Sequence, residues 1–373
     1  FRPASSTYAK VYDFMTVEEI KDRAMLLGNQ LDQLQTIDPA NLDRQDQITQ
    51  ATMKLSLGDE VTSVKYQSYL LPFNAEGGFY NSPAFSLRNR QFNSQEDYYD
   101  YVLWVRSFLN YLDYNIALLE SGMKEGVMRP QVIVKNTLSL LQPWVNEAIK
   151  NNVFYAPYLK LPESISEDQK QLIIKHGKEL VQNEVIQKYH AVYEFLETTY
   201  QPKAPIEVGI LNIKKGKSYY EDRVRFYTTL DMTPDSVFAL GNQEVKRIRS
   251  LMEDIIQDLK FVGSFDEFVD FLRNDPQFYA RTPQELLSRA AWLSKKAEGQ
   301  LPVLFGTLYE LPFTVEPVPL SIAPNYTGGR YVPGNRGQNR AGIYWVNTYD
   351  LPSRPLYTLP ALTLHEAVPG HHL

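Results

Sequence analysis

Through most of the first 300 residues, apolar side chains recur at intervals of three and four positions, the spacing that lines one face of an α-helix. Recognisable start signals precede these stretches. Thr16 with Glu19, Ser166 with Gln169, Ser264 with Glu267 and Thr282 with Glu285 have capping-box spacing, in which each side chain satisfies a backbone amide that the helix leaves unpaired. Pro234 and Pro283 fall at the first helical position, where the missing amide of proline costs nothing. Tyr98 to Leu119, Gln169 to Thr198 and Ser236 to Leu259 read as long amphipathic helices that need one another to bury their apolar faces. The pattern predicts a mainly α protein, with a large helical array over residues 1–300 and Pro202-Lys203-Ala204-Pro205 as a tight linker inside it. No fixed-period repeat is visible, which argues against a regular solenoid.

After Gly299 the pattern changes. Phe313 to Val318 and Gly342 to Thr348 are β-branched and aromatic, and Asn325 to Asn339 between them is rich in Gly, Asn and Arg. Two strands forming a small antiparallel β element, joined by a long loop, are expected. Pro317 and Pro319 cannot donate to a ladder, so the first strand should be short or at an edge. A proline-rich connector, Asp350 to Pro360, leads into Ala361 to Glu366, which reads as a helix opening with its apolar residues inward. Residues 301–373 thus form a second region: β element, glycine-rich loop and the start of a helix.

Composition narrows the possible chemistry. Hydrophobic residues at 43% and charged residues at 22% are ordinary for a globular protein. A net charge of -6 leaves no basic stripe for nucleic acid and disfavours anionic membranes. The absence of cysteine excludes disulfides, thiolate metal sites and cysteine nucleophiles, so any metal site must use histidines and carboxylates. No run approaches the roughly 18 apolar residues of a transmembrane segment. The first residue is Phe1 rather than Met, from which an upstream segment such as a signal peptide is expected. The 25 tyrosines and 18 phenylalanines read as core and interface residues, the tyrosines carrying a polar tip.

Of the five histidines, three lie from position 365 onward, in the run Leu364-His365-Glu366-Ala367-Val368-Pro369-Gly370-His371-His372-Leu373. Neutral imidazoles with an adjacent carboxylate are what a catalytic zinc site needs, but the spacing is not H-E-x-x-H. A helix turns about 100° per residue, so His371 would lie about 240° round from His365. His372 would be nearly aligned but about 10 Å along the axis, too far for two nitrogens that must each sit about 2 Å from one metal. A regular helix therefore forbids the site. Pro369 cannot donate to the His365 carbonyl, and Gly370 tolerates the backbone angles of a bulge. If Pro369-Gly370 bulges outward as two extra residues, His371 takes the second ligand position in preference to His372. Glu366 would then be the general base. The plain alternative is a helix end stopped by Pro-Gly, with incidental histidines. His176 and His190 read as ordinary helix residues. A third ligand is needed. Glu310, Glu316 and Asp350 are upstream candidates that loop or solvated roles explain equally, and the simpler expectation places the ligand beyond Leu373 in a longer protein.

This terminal run resembles the signature of the bacterial domain-of-unknown-function 885 family, HExxPGHH, a group placed with the zincin-type metallopeptidases. Gly216 to Tyr220, Tyr227-Thr228-Thr229, Thr233-Pro234, Leu240 to Ile248, Ser264 to Pro276 and the Tyr344 to Thr348 strand are also similar to that family. The resemblance implies an oligopeptidase-like helical fold with a small sheet beside the metal helix, zinc on His365 and His371, Glu366 as base, and a peptide substrate. It also implies an exported, periplasmic or envelope protein with a lipid anchor upstream of the chain, a cytoplasmic place staying open. In zincins substrate pairs with a strand near the metal helix, for which Gly342 to Asn347, including Tyr344, is the candidate. Asn347 could bond substrate backbone or simply end the strand. Arg330 and Tyr331 could meet a substrate carboxylate or belong to a mobile loop. The function expected is a zinc-dependent peptidase. Two alternatives stand beside it: a helical peptide-binding or envelope scaffold with a vestigial metal site, and a metal-dependent hydrolase of a non-peptide amide or ester.

Overall fold

The structure, a computed structural model, describes residues 11–75, 77–81, 87, 90–146, 148–320 and 322–373. Phe1 lies outside them. The chain divides into two compact units, Phe1–Leu240 and Gly241–Leu373, so the boundary falls well before the expected position near 300.

In the first unit α1 (Val17–Gln35) and α2 (Arg44–Lys65) pack together. They are followed by α3 (Gln95–Glu125) and α4 (Gln131–Asn146). A continuous helical rod then runs from α5 (Glu167–Leu180) through a π-helical turn, Val181–Val185, into α6 (Ile186–Glu194) and a second π-helical turn, Phe195–Tyr200. Short 3-10 turns flank Ala204, where the linker was expected, and lead to α7 (Gly216–Thr228). Thr16 and Glu19 form the predicted capping box, as do Ser94 and Asp97, whose shorter carboxylate hid the signal in the sequence. Ser166 stands at its helix start without a side-chain cap bond.

The core of this unit is aromatic, and its tyrosines bury their rings while bonding through the tip. Tyr101 donates to the Phe154 carbonyl at 2.9 Å, Tyr189 to that of Tyr80 at 2.5 Å, and Tyr200 accepts from the Arg129 amide at 2.8 Å. Burial pushes the phenols of Tyr80 and Tyr200 up to about 12.

α8 (Pro234–Asp258), which spans the division, departs from the expected array. Its seam of Val245, Ile248, Met252 and Ile255, spaced three and four apart, is exposed, and only Ile256 of the helix is buried.

The second unit contains α9 (Phe265–Asn274), α10 (Pro283–Glu298), the short α11 (Leu301–Leu304), a sheet and the final helix α12 (Leu359–Glu366). Ser264 with Glu267 closes a capping box. Thr282 caps the Glu285 amide, while the Glu285 carboxylate takes the Arg281 amide instead. The sheet has three strands, not two: β1 (Phe313–Pro317), β2 (Gly329–Val332) and β3 (Gly342–Val346), in the order β1-β3-β2. β3 runs parallel to β1 and antiparallel to β2, so the expected antiparallel pair is corrected to a mixed sheet whose third strand lies inside the presumed loop. Pro317 sits on the edge strand, as its missing amide requires.

β3 is central and covered on both faces, which explains its unbroken apolar run. Tyr344 and Val346 pack with Leu286 and Ala290 of α10 and with Leu359 and Ala367, whereas Trp345 packs with Val318 and Ala323. α10 is thus part of this unit's core, which is why the division falls before it. Among the described residues no helix is long and apolar enough to cross a membrane.

Candidate functional site

α12 opens with Pro360 in its first turn and packs against α10 and β2. Its buried stripe is Leu359, Thr363 and Glu366, four and three residues apart. The expected inward apolar face is therefore only partial. Leu364 and His365 face outward, and a threonine and a carboxylate face in. Thr363 contacts Tyr344, hydroxyl to hydroxyl at 3.4 Å, and the Tyr344 phenol is pushed up to about 12 by burial, against the Thr363 bond and with the Glu366 charge.

After Glu366 the ladder changes step. The Ala367 amide still bonds the Thr363 carbonyl four residues back, but the Gly370 amide bonds Leu364 at 3.0 Å and the His371 amide bonds His365 at 3.0 Å, each six residues back. Two residues have been inserted into one turn, and Pro369, which cannot donate, is inside the insertion. Ala367 takes φ -95 and ψ -105 to leave the helix, and Val368-Pro369 is cis. Gly370 is required for room rather than for a left-handed backbone. A Cβ there would stand 1.8 Å from the His365 carbonyl oxygen and 2.6 Å from that of Leu364.

The insertion brings His371 beside His365, with ring centroids 4.9 Å apart at 79°. One ligand atom each of His365, Glu366 and His371 fall within 4.8 Å of one another, the imidazoles exposed and the carboxylate buried. Glu366 Oε2 accepts the Tyr331 backbone amide at 2.9 Å and lies 4.0 Å from His371 Nε2. Oε1 makes no hydrogen bond among the described residues.

His372 is not brought into the cluster. It turns the other way into a pocket of Tyr309, Phe313 and Tyr331, where its Nδ1 meets the Tyr331 hydroxyl at 2.8 Å. Burial lowers its affinity for a proton, the Leu311 backbone and the Glu298 charge opposing.

The other expected site residues are placed less favourably. β3 is hydrogen-bonded along both edges and cannot accept a peptide strand, and Tyr344 is enclosed in the core. Asn347 is buried, donates from Nδ2 to the carbonyls of Ala323, Tyr326 and Thr327, and accepts the Tyr349 amide, so it ties loops together and leaves no group for a substrate. Arg330 alternates with Tyr331 and so lies on the opposite face of β2, stacked over Tyr326. Among the upstream carboxylates Glu310 pairs with Arg336, and neither it, Glu316 nor Asp350 joins the cluster. The sequence reading missed Thr363 and the pocket around His372. Their signal was faint, since the pocket is assembled from three separate segments.

No curated protein matches this chain. Solved structures share its fold. A candidate lipoprotein from Colwellia psychrerythraea superposes with a TM-score of 0.81 at 23% identity, over 97% of this chain and 65% of that one. A candidate lipoprotein of unknown function from Shewanella oneidensis gives a TM-score of 0.60 at 12% identity, again over 97% and 65%. The chain thus spans just under two thirds of the length of either relative. The family model described as bacterial protein of unknown function (DUF885) matches residues 4–373, and the chain belongs to that family.

Proposed function

We propose that this chain carries two ligands and the base of a hydrolytic metal site, and that the complete protein is a zinc-dependent peptidase. The observation that carries the proposal is the two-residue insertion, which turns a spacing unfit for a shared metal into one where two imidazoles and a carboxylate lie within 4.8 Å. A set of nitrogen and oxygen donors without cysteine fits zinc, with His365 and His371 as the protein ligands here. When bound, zinc would supply Lewis acidity toward an amide carbonyl and lower the pKa of water.

This chain's residues account for the proton. The Tyr331 amide holds Oε2 of Glu366 and so fixes the carboxylate, whose Oε2 lies 4.0 Å from His371 Nε2; beside a metal held by the two imidazoles this carboxylate would be the group to take a proton from water. The choice of peptides as substrate rests on the family resemblance, and hydrolysis of another amide or ester is the reading a substrate screen separates from it. The two solved relatives are described as candidate lipoproteins, and we extend to this chain a lipid-anchored place at the cell envelope, testable by fractionation.

The deciding experiment measures zinc content and peptide hydrolysis of the protein expressed from its complete gene. About one zinc per chain, lost in His365→Ala and His371→Ala, is expected. Glu366→Gln should keep the zinc and lose roughly 10²–10⁴-fold in rate, the contribution of a positioned base. A pure protein that holds no zinc would favour the scaffold reading, and full activity in Glu366→Gln would remove the mechanism.

A further inference from the structure

An inserted turn has a weakness that a regular helix lacks. Between Ala367 and Gly370 the four-residue ladder gives way to two longer bonds, Gly370 to Leu364 and His371 to His365, which tie the His371 backbone to the helix with less redundancy than a regular turn has. Contacts from outside the helix add to the reference that those two bonds supply.

One residue of β2 touches both sides of the break. The backbone amide of Tyr331 holds Glu366 before it, at 2.9 Å, and the Tyr331 hydroxyl holds His372 after it, at 2.8 Å. His372 is the covalent neighbour of His371 and is wedged between aromatic rings, with centroids 4.6 Å from Phe313 and 5.3 Å from Tyr309. It is therefore a poor candidate for a ligand and a good anchor. The strand is itself fixed, since Tyr331 pairs with Tyr344 in the register of β2 and β3.

Room for the hydroxyl is also built in. A Cβ on Gly342 would stand 2.1 Å from it, so the glycine that begins β3 leaves the slot in which the tyrosine tip reaches His372.

Resting on the metal reading above, we infer that Tyr331 and His372 are positioning residues: they clamp the inserted turn so that His371 and Glu366 are held at the separation one metal ion requires. Neither need touch metal or substrate. The class of effect is that of outer-shell partners, whose loss costs about 10–100-fold in metal affinity.

The test uses the protein from its complete gene, with zinc affinity measured by chelator competition, the visible spectrum of the cobalt(II)-substituted protein, and thermal unfolding of the metal-free form. Tyr331→Phe removes only the hydroxyl. It should weaken zinc by about 10–100-fold and alter the cobalt spectrum while the metal-free protein still unfolds cooperatively. His372→Gln should do the same, and Gly342→Ala, which pushes the hydroxyl aside without removing it, should fall between wild type and Tyr331→Phe. A merely structural role would move the metal-free unfolding midpoint and leave the cobalt spectrum as in wild type. If wild type binds zinc and both Tyr331→Phe and His372→Gln keep its affinity and spectrum, the clamp is overturned and the metal reading stands. If wild type binds no metal, both fall together.

Discussion

Replacing Gly370 by alanine puts one methyl group at the point where the inserted turn closes on itself. The Cβ would meet the His365 carbonyl oxygen at 1.8 Å and the Leu364 oxygen at 2.6 Å, and both are backbone atoms that cannot rotate away. Restoring an ordinary contact of 3.4 Å means opening the segment by about 1.6 Å. That displacement acts on the residue next to His371, and a zinc-nitrogen bond of about 2.0–2.1 Å tolerates only about 0.2 Å. Two consequences follow. Overpacking of this kind costs about 1–3 kcal/mol of stability, measured by urea denaturation. Zinc affinity should fall by at least about 10²-fold, because one ligand is removed from bonding distance. Gly58→Ala provides the control, since a Cβ there meets nothing within 4 Å. On the interior of α2 it should stabilise by about 0.5–1 kcal/mol and leave zinc untouched. A Gly370→Ala protein with wild-type zinc affinity and unchanged stability would refute the close-packed insertion.

Other outcomes are open to measurement. Asn347→Ala should destabilise by about 2–4 kcal/mol, because it strips an interior tie from three carbonyls and one amide and leaves buried groups unpaired. A change under about 0.5 kcal/mol in chemical denaturation would show that the tie is dispensable. The buried phenols set an alkaline limit. Tyr80, Tyr98, Tyr200 and Tyr344 are raised to about 12 mainly by burial, so the folded chain keeps protons that the unfolded chain releases near 10. Stability should hold up to about pH 10 and fall between there and about 12, with tyrosinate absorbance and loss of helical circular dichroism rising together. Ionisation of these tyrosines in a still-folded protein would contradict that burial.

Much of the secondary structure could be read directly, because its determinants are local. Thr16 and Ser264 cap the helices their neighbours begin, and Pro234 and Pro283 stand at the first helical turn. β2 was not legible, since Gly329 to Val332 is four residues amid glycine and asparagine, and only pairing with β3 makes it a strand. The topology was equally hidden: Phe313 to Pro317 pairs parallel with Gly342 to Val346, a choice made by what covers each face and not by either segment. Asn347 shows the same limit for chemistry. At a strand end it suits binding or loop-tying, and its burial chooses.

The terminal motif divides most clearly. The residues by themselves determined that His365 and Glu366 lie on a helix, that Pro369 must interrupt its ladder, and that a shared ligand position for His371 requires two inserted residues, because helical spacing and the missing proline amide are properties of the chain alone. Which histidine turns toward the cluster was decided by the fold. Tyr309, Phe313 and Tyr331 come from elsewhere in the sequence to enclose His372, while His371 faces Glu366.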